Sequence, residues 1–171
     1  GVIAPLWHIN RSSEALFGLG MRSLDRFPTL ANELIEAGVD PGFRQNGVLK
    51  IAFSPEEVDE LKHNLAWQGE LGIGVSWQTI DDVIGREPQV NPEVWGGVFS
   101  PNEGHIEGQR YVEALAHAAS RLGVQVHEGV EVIGLELQGH NVMGVRTNTQ
   151  VYHSRHTVLA AGPWSGIAQK W

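Results

Sequence analysis

The residues best placed to do chemistry lie in the last third of the chain. There Val158-Leu159-Ala160-Ala161-Gly162 runs into Pro163-Trp164-Ser165-Gly166. A turn and helix feeding a strand that ends in small residues lets a backbone approach a nucleotide-type ligand closely. Side-chain chemistry has a weaker footing. His8, His105 and Glu107 are the polar residues nearest these segments, but a lone histidine or glutamate at a turn reads as solvated or capping, so no catalytic residue is assigned. His153 and His156 are three apart on a strand and turn without a carboxylate partner, so no metal site is assigned either. Ser165 stands one place too late for a Gly-x-Ser-x-Gly elbow, which disfavours a hydrolase. Gly18-Leu19-Gly20 sits inside a helical pattern with no strand before it, and close helix packing explains it better than a nucleotide loop.

These residues need elements to position them. The first is a helix over about 13–37, capped by Ser12 or Ser13, with Phe17, Met21, Leu24, Phe27, Ala31 and Leu34 on one stripe and a kink expected at Pro28. Gly38 ends it. The run FRQNGVLKIAF reads as extended, with Leu49, Ile51 and Phe53 facing one way and Val48, Lys50 and Ala52 the other. Ser54-Pro55-Glu56-Glu57 is a capping box opening a helix that turns Val58, Leu61 and Leu65 inward and ends near Gly72. A strand at VSWQTI, a short helix at DDVIGRE and a strand at VWGGVFS follow, with Trp67, Trp77 and Trp95 read as packing residues. Next comes a helix over about 109–122 whose expected stripe is Val112, Leu115, Ala119 and Leu122. Val124-Gln125-Val126 reads as a short strand entering a parallel sheet. A meander turning at Gly139-His140-Asn141 and near Asn148 precedes TVLAAG, whose continuous apolar character predicts a strand buried on both faces.

Composition narrows the function classes. The 171 residues suit one domain or two small ones, and 12 basic against 20 acidic residues give a net charge of −8, which argues against a nucleic-acid partner. The absence of cysteine removes disulfides and thiolate chemistry. No apolar run approaches a membrane span, and a cytoplasmic location is expected. The chain opens inside GVIAPLW and stops within SGIAQKW without caps or a polar tail, so an internal piece of a longer polypeptide is expected.

Several stretches, taken in order, resemble one family. They are GVIAPLW, MRSLDRFPTLANEL, DPGFRQNGVLKIAF, LAWQGELG, PEVWGGVFSPNEGHIEGQRYVEALAHAA and VLAAGPWSG. Together they resemble the D-amino-acid oxidase superfamily of FAD-dependent flavoproteins, most closely the glycine oxidases linked to thiamine biosynthesis. The resemblance implies that Gly1, Val2 and Ile3 form the loop whose backbone borders the flavin ring. It implies that the main chain of Val132 meets adenine, and that Ala161 and Gly162 end a strand near the dinucleotide. The family's Gly-x-Gly-x-x-Gly turn would precede Gly1, and its substrate-binding arginine and tyrosine would follow Trp171. Glu107-Gly108 stands where relatives often have aspartate-proline, a weaker helix cap.

The expected fold class is α/β. A partial FAD-binding, Rossmann-like three-layer domain with a β-meander, at 1–38 and 104–171, is interrupted by part of an antiparallel α+β substrate domain at 39–103. The implied reaction is oxidation of glycine or a small amine, by hydride transfer to flavin with oxygen as acceptor. Two alternatives stand beside it: a non-catalytic flavin-domain scaffold, and a sarcosine oxidase or D-amino-acid dehydrogenase of the same superfamily. Open strand edges would favour a homo-oligomer.

Overall fold

Long-range strand pairing draws the start of the chain to its middle. Strand β1 (Val2–Ile3) pairs antiparallel with β5 (Gly104–His105), Val2 opposite His105 and Ile3 opposite Gly104. A short helix, α1 (Pro5–His8), follows β1. The computed structural model describes residues 1–8 and 14–171, apart from the side chains of His8, Glu14 and Ala15, so the expected caps Ser12 and Ser13 lie outside the described residues. Two compact units form, Gly1–Val124 and Gln125–Trp171.

In the first unit, α2 (Glu14–Ala37) realises the expected stripe. Leu24, Ala31 and Leu34 are buried, while Phe17, Met21 and Phe27 are partly so. The helix runs through Pro28 as one element. It ends at Gly38, whose φ of 118° only glycine adopts readily. Ile3, Leu24 and Ile106 form a core against which Met21, Phe27, Phe43 and Tyr111 pack, and Phe27 stacks on Phe43 at 5.8 Å.

The middle of the chain is a three-stranded antiparallel sheet in the order β2 (Val48–Ala52), β4 (Gly96–Ser100), β3 (Ser76–Gln78). Helix α3 (Pro55–Glu70) covers it, burying Leu61 against Ala52 and Val98 with Val58, Leu65, Val75 and Trp77 around them. Ser54 caps α3 by accepting the Glu57 N–H at 3.2 Å. Glu57 answers one residue earlier than the capping-box pattern implies, accepting the Phe53 N–H at 2.6 Å. Helix α4 (Ile80–Arg86) carries the complete reciprocal box between Thr79 and Asp82. Trp67 is buried and Trp77 packs on the core, but Trp95 is 53% exposed although its N–H is held by the Ala52 carbonyl at 2.8 Å.

Helix α5 (Gly108–Arg121) packs on α2 through a different face from the one expected. Ala114 is buried, with Tyr111 and Ala118 half-buried beside it, whereas Val112, Leu115 and Leu122 are exposed, Leu122 at 85%. Both stripes have helical spacing. The core formed by α2 and β1 selects the one carrying Tyr111.

The second unit is the expected meander: β6 (Val132–Gln138), β7 (Asn141–Thr147) and β8 (Val151–His153), antiparallel throughout. It ends in a 3₁₀ helix, Gly162–Lys170. Val124-Gln125-Val126 and Thr157–Gly162 do not form the expected strands, and Val158 is 84% exposed. A strand exists only where a ladder partner accepts its backbone groups. Among the described residues no strand pairs with either segment.

Candidate flavin-binding backbone and a buried polar clamp

The backbone of Gly1 is tied down while its outer side stays open. The Ile106 N–H donates to the Gly1 carbonyl at 2.8 Å, and a Cβ at Gly1 would meet only the Ile106 carbonyl oxygen, at 3.9 Å. Val2 is 70% exposed, and Ile3 turns its side chain into the core. Of the three, Gly1 and Val2 therefore present surface, while Ile3 anchors the strand from behind.

Strand β5 lies between β1 and the main chain of Arg44, which is bonded to it from Arg44 N–H to the His105 carbonyl (2.9 Å) and from His105 N–H to the Arg44 carbonyl (3.0 Å). A side chain at Gly104 would collide with the Arg44 carbonyl, so glycine is required by this close approach.

Behind β1 lies a cluster of polar groups that sequence reasoning missed. Glu103, fully buried in the turn between β4 and β5, accepts the Leu6 N–H through Oε1 at 3.0 Å. Gln68, buried on α3, donates through Nε2 to the Leu6 carbonyl at 3.3 Å. Glu103 Oε2, Gln68 Oε1 and Trp7 Nε1 are buried without a hydrogen-bond partner among the described residues. Burial raises the Glu103 carboxyl above the ordinary glutamate range, opposed by the Leu6 amide and by the neighbouring Ser100 and Trp7 side chains. A glutamate in a polar turn carries no local sign that distant elements will enclose it.

The other expected site residues lie in the second unit. Val132 and Ala161 line one apolar pocket of about 520 Å³ with Leu135, Val142, Val145 and Leu159, and Gly162 follows directly at φ 54°. That volume falls within the range of small-molecule sites. The ladder is irregular between Val132 and Gly134, and a bulge of this kind interrupts regular backbone pairing. No charged side chain lines this pocket, so it suits a neutral aromatic ring rather than a diphosphate.

His105 and Glu107 are exposed. Glu107 caps α5 without a side-chain bond and pairs with Arg110 at 3.2 Å. His153 and His156 are exposed as well, and the described residues hold no cluster of metal-ligating side chains.

The family model for FAD dependent oxidoreductases matches residues 1–170. The chain belongs to this FAD-dependent oxidoreductase family. It is 30% identical over 155 residues to the glycine oxidase of Bacillus subtilis, covering 90% of this chain and 40% of that protein. It is 32% identical over 130 residues to the 4-methylaminobutanoate oxidase (formaldehyde-forming) of Paenarthrobacter nicotinovorans, covering 75% of this chain and 16% of that one. Among solved structures, the glycine oxidase of Bacillus cereus superposes with a TM-score of 0.87 at 30% identity, over 98% of this chain and 46% of that chain. The chain thus spans about two fifths of the length of the curated glycine oxidases it matches. The α/β architecture of this flavoprotein family is the one expected from the sequence. No described helix is long and apolar enough to cross a membrane.

Proposed function

We propose that this chain is the part of an FAD-dependent amino-acid oxidase that offers backbone to the cofactor, in a protein acting on glycine or a similarly small amine with oxygen as acceptor. The supporting observation is that Val132 and Ala161, separate in sequence, line one uncharged apolar pocket in a chain matched by the family model almost end to end. In this reading the adenine end of FAD lies against Val132, with Ala161 and Gly162 beside the dinucleotide. Gly1, Val2 and Ile3 border the flavin ring, Gly1 contributing open main chain and Ile3 the anchor. Bound FAD supplies hydride acceptance from the amine's α-carbon. The residues described here bind and orient, and none of them moves a proton.

The division into a flavin-binding part at 1–38 and 104–171 and a substrate-side part at 39–103 belongs to the same proposal. The β1–β5 ladder and the bond from Arg121 Nη1 to the Ala37 carbonyl, 2.6 Å, support joining the two flavin-binding stretches within Gly1–Val124. A cytoplasmic location and self-association go with it.

The test is the complete polypeptide, purified and examined by visible spectroscopy. A yellow protein whose flavin bands bleach anaerobically with glycine supports the reading. Bleaching with sarcosine, 4-methylaminobutanoate or larger D-amino acids but not glycine moves the substrate elsewhere in the family. A protein that stays colourless with added FAD overturns it in favour of a scaffold.

A further inference from the structure

We infer that Glu103 and Gln68 are positioning residues that clamp the peptide groups of Leu6 and thereby set where the Gly1–Ile3 backbone stands; this rests on the proposed flavin-bordering role of that segment. Leu6 is held at both ends of its residue by side chains distant in sequence, its N–H by Glu103 and its carbonyl by Gln68. Both are wholly buried, and Glu103 is the one carboxyl among the buried described residues. Enclosing a carboxyl and an amide whose second oxygens have no partner among the described residues is unfavourable, and the bonds to Leu6 are what these two side chains gain in return. In some proteins buried polar groups fix one arrangement of the chain at a cost in stability, and that is the role inferred for this pair.

The arrangement they specify is visible in the neighbouring bonds. The Glu103 carbonyl accepts the Gly47 N–H at 2.9 Å, and the next two residues are β5, which pairs with β1. One short stretch, Glu103–His105, thus grips β1 through its backbone and α1 through its side chain. Gln68 ties the same point to α3 and so to the three-stranded sheet. Any shift of the β4–β5 turn relative to α3 would carry Gly1–Ile3 with it. The main chain of this segment is therefore registered on the middle of the protein.

The experiment uses the complete polypeptide loaded with FAD and compares wild type with E103Q, E103A and Q68L. Two readouts are taken: hydrogen exchange of the peptide covering residues 1–8, and the visible absorption and FAD dissociation constant of the bound flavin. E103Q keeps an acceptor oxygen for Leu6 and should match wild type within about twofold in both. E103A and Q68L should speed exchange of the 1–8 peptide and, with it, shift the flavin bands and weaken FAD retention about tenfold. Should E103A fail to fold, Q68L carries the comparison. Faster exchange with an unchanged flavin spectrum and affinity would overturn the inference, leaving the clamp as packing alone. Unchanged exchange in both variants would overturn it too. A wild-type protein that binds no FAD overturns the flavin reading itself, an outcome distinct from these two.

Discussion

Glu103 accepts the Leu6 amide through one carboxyl oxygen at 3.0 Å while its other oxygen, also enclosed, has no partner among the described residues. The contact holds the segment after β1, and the burial of the carboxyl sets how it responds to pH.

Desolvation, the larger influence, raises the Glu103 carboxyl, so the folded chain prefers its protonated form. Below the ordinary glutamate range both folded and unfolded chains carry the proton and nothing is lost. As pH rises through the raised folded-state value, the folded chain must give up a proton it favours, and stability falls. Glu103→Gln should remove this slope. Thermal melts from about pH 4 to about pH 8 should show the variant gaining on wild type toward alkaline pH, and a constant offset would count against the assignment.

Asp40 behaves in the opposite sense. The Gly42 amide holds its carboxyl below the ordinary aspartate range, helped by Arg110 and Arg44 at 3.4 and 3.6 Å. That contribution is present above the ordinary aspartate pKa and is lost as pH falls through the depressed one. Asp40→Asn keeps an acceptor for Gly42 but drops the attraction to both arginines. Its deficit against wild type should shrink on acidification and with added salt, which denaturant titrations at two ionic strengths would measure.

Burial along α2 separates two leucines on one helix. Leu24 is 2% exposed and Leu19 is 57% exposed. Leu24→Ala should cost about 2–5 kcal/mol by urea unfolding, whereas Leu19→Ala should stay within about 0.5 kcal/mol. Equal losses would mean that the helix is rotated.

The reciprocal box at α4 is a local test. Thr79→Ala removes the acceptor for the Asp82 N–H and should lower stability by about 1 kcal/mol, with Thr79→Ser recovering most of it.

The apolar pocket of the second unit can be narrowed directly. Ala161→Leu adds volume at its wall and should weaken FAD binding by the complete protein about tenfold, read by flavin fluorescence, while melts of the flavin-free protein stay close to wild type. Unchanged affinity would remove Ala161 from the site.

How much of this was legible in the residue order depended on the range of the forces involved. The α2 stripe could be read from Phe17 to Leu34, and the α4 helix and the β6–β8 turns likewise, because spacing, caps and turn glycines act over a few residues. The face of α5 could not. Val112-Leu115-Ala119-Leu122, of which only Ala119 is half-buried, and Tyr111-Ala114-Ala118 are both regular stripes, and only the core around Leu24 and Ile3 distinguishes them. Thr157–Gly162 is as apolar as a buried strand, yet it remains unpaired for want of a ladder partner among the described residues. The family itself was legible, from stretches such as GVIAPLW and VLAAGPWSG taken in order. The clamp on Leu6 was not, since neither Glu103 nor Gln68 announces its burial.

The pairing of β1 with β5 also has a consequence for how the protein is made. Leu6 and Glu103 are separated by 97 positions, whereas each turn of the β6–β8 meander joins neighbouring strands. Closing so large a loop is entropically slow compared with zipping a hairpin. On the ribosome the first strand must wait for β5 to emerge, about 5–20 s at ordinary elongation rates. During that interval the nascent chain carries the β1 edge and the apolar Leu6 uncovered, which makes the β1–α1 stretch a point that a chaperone would have to shield.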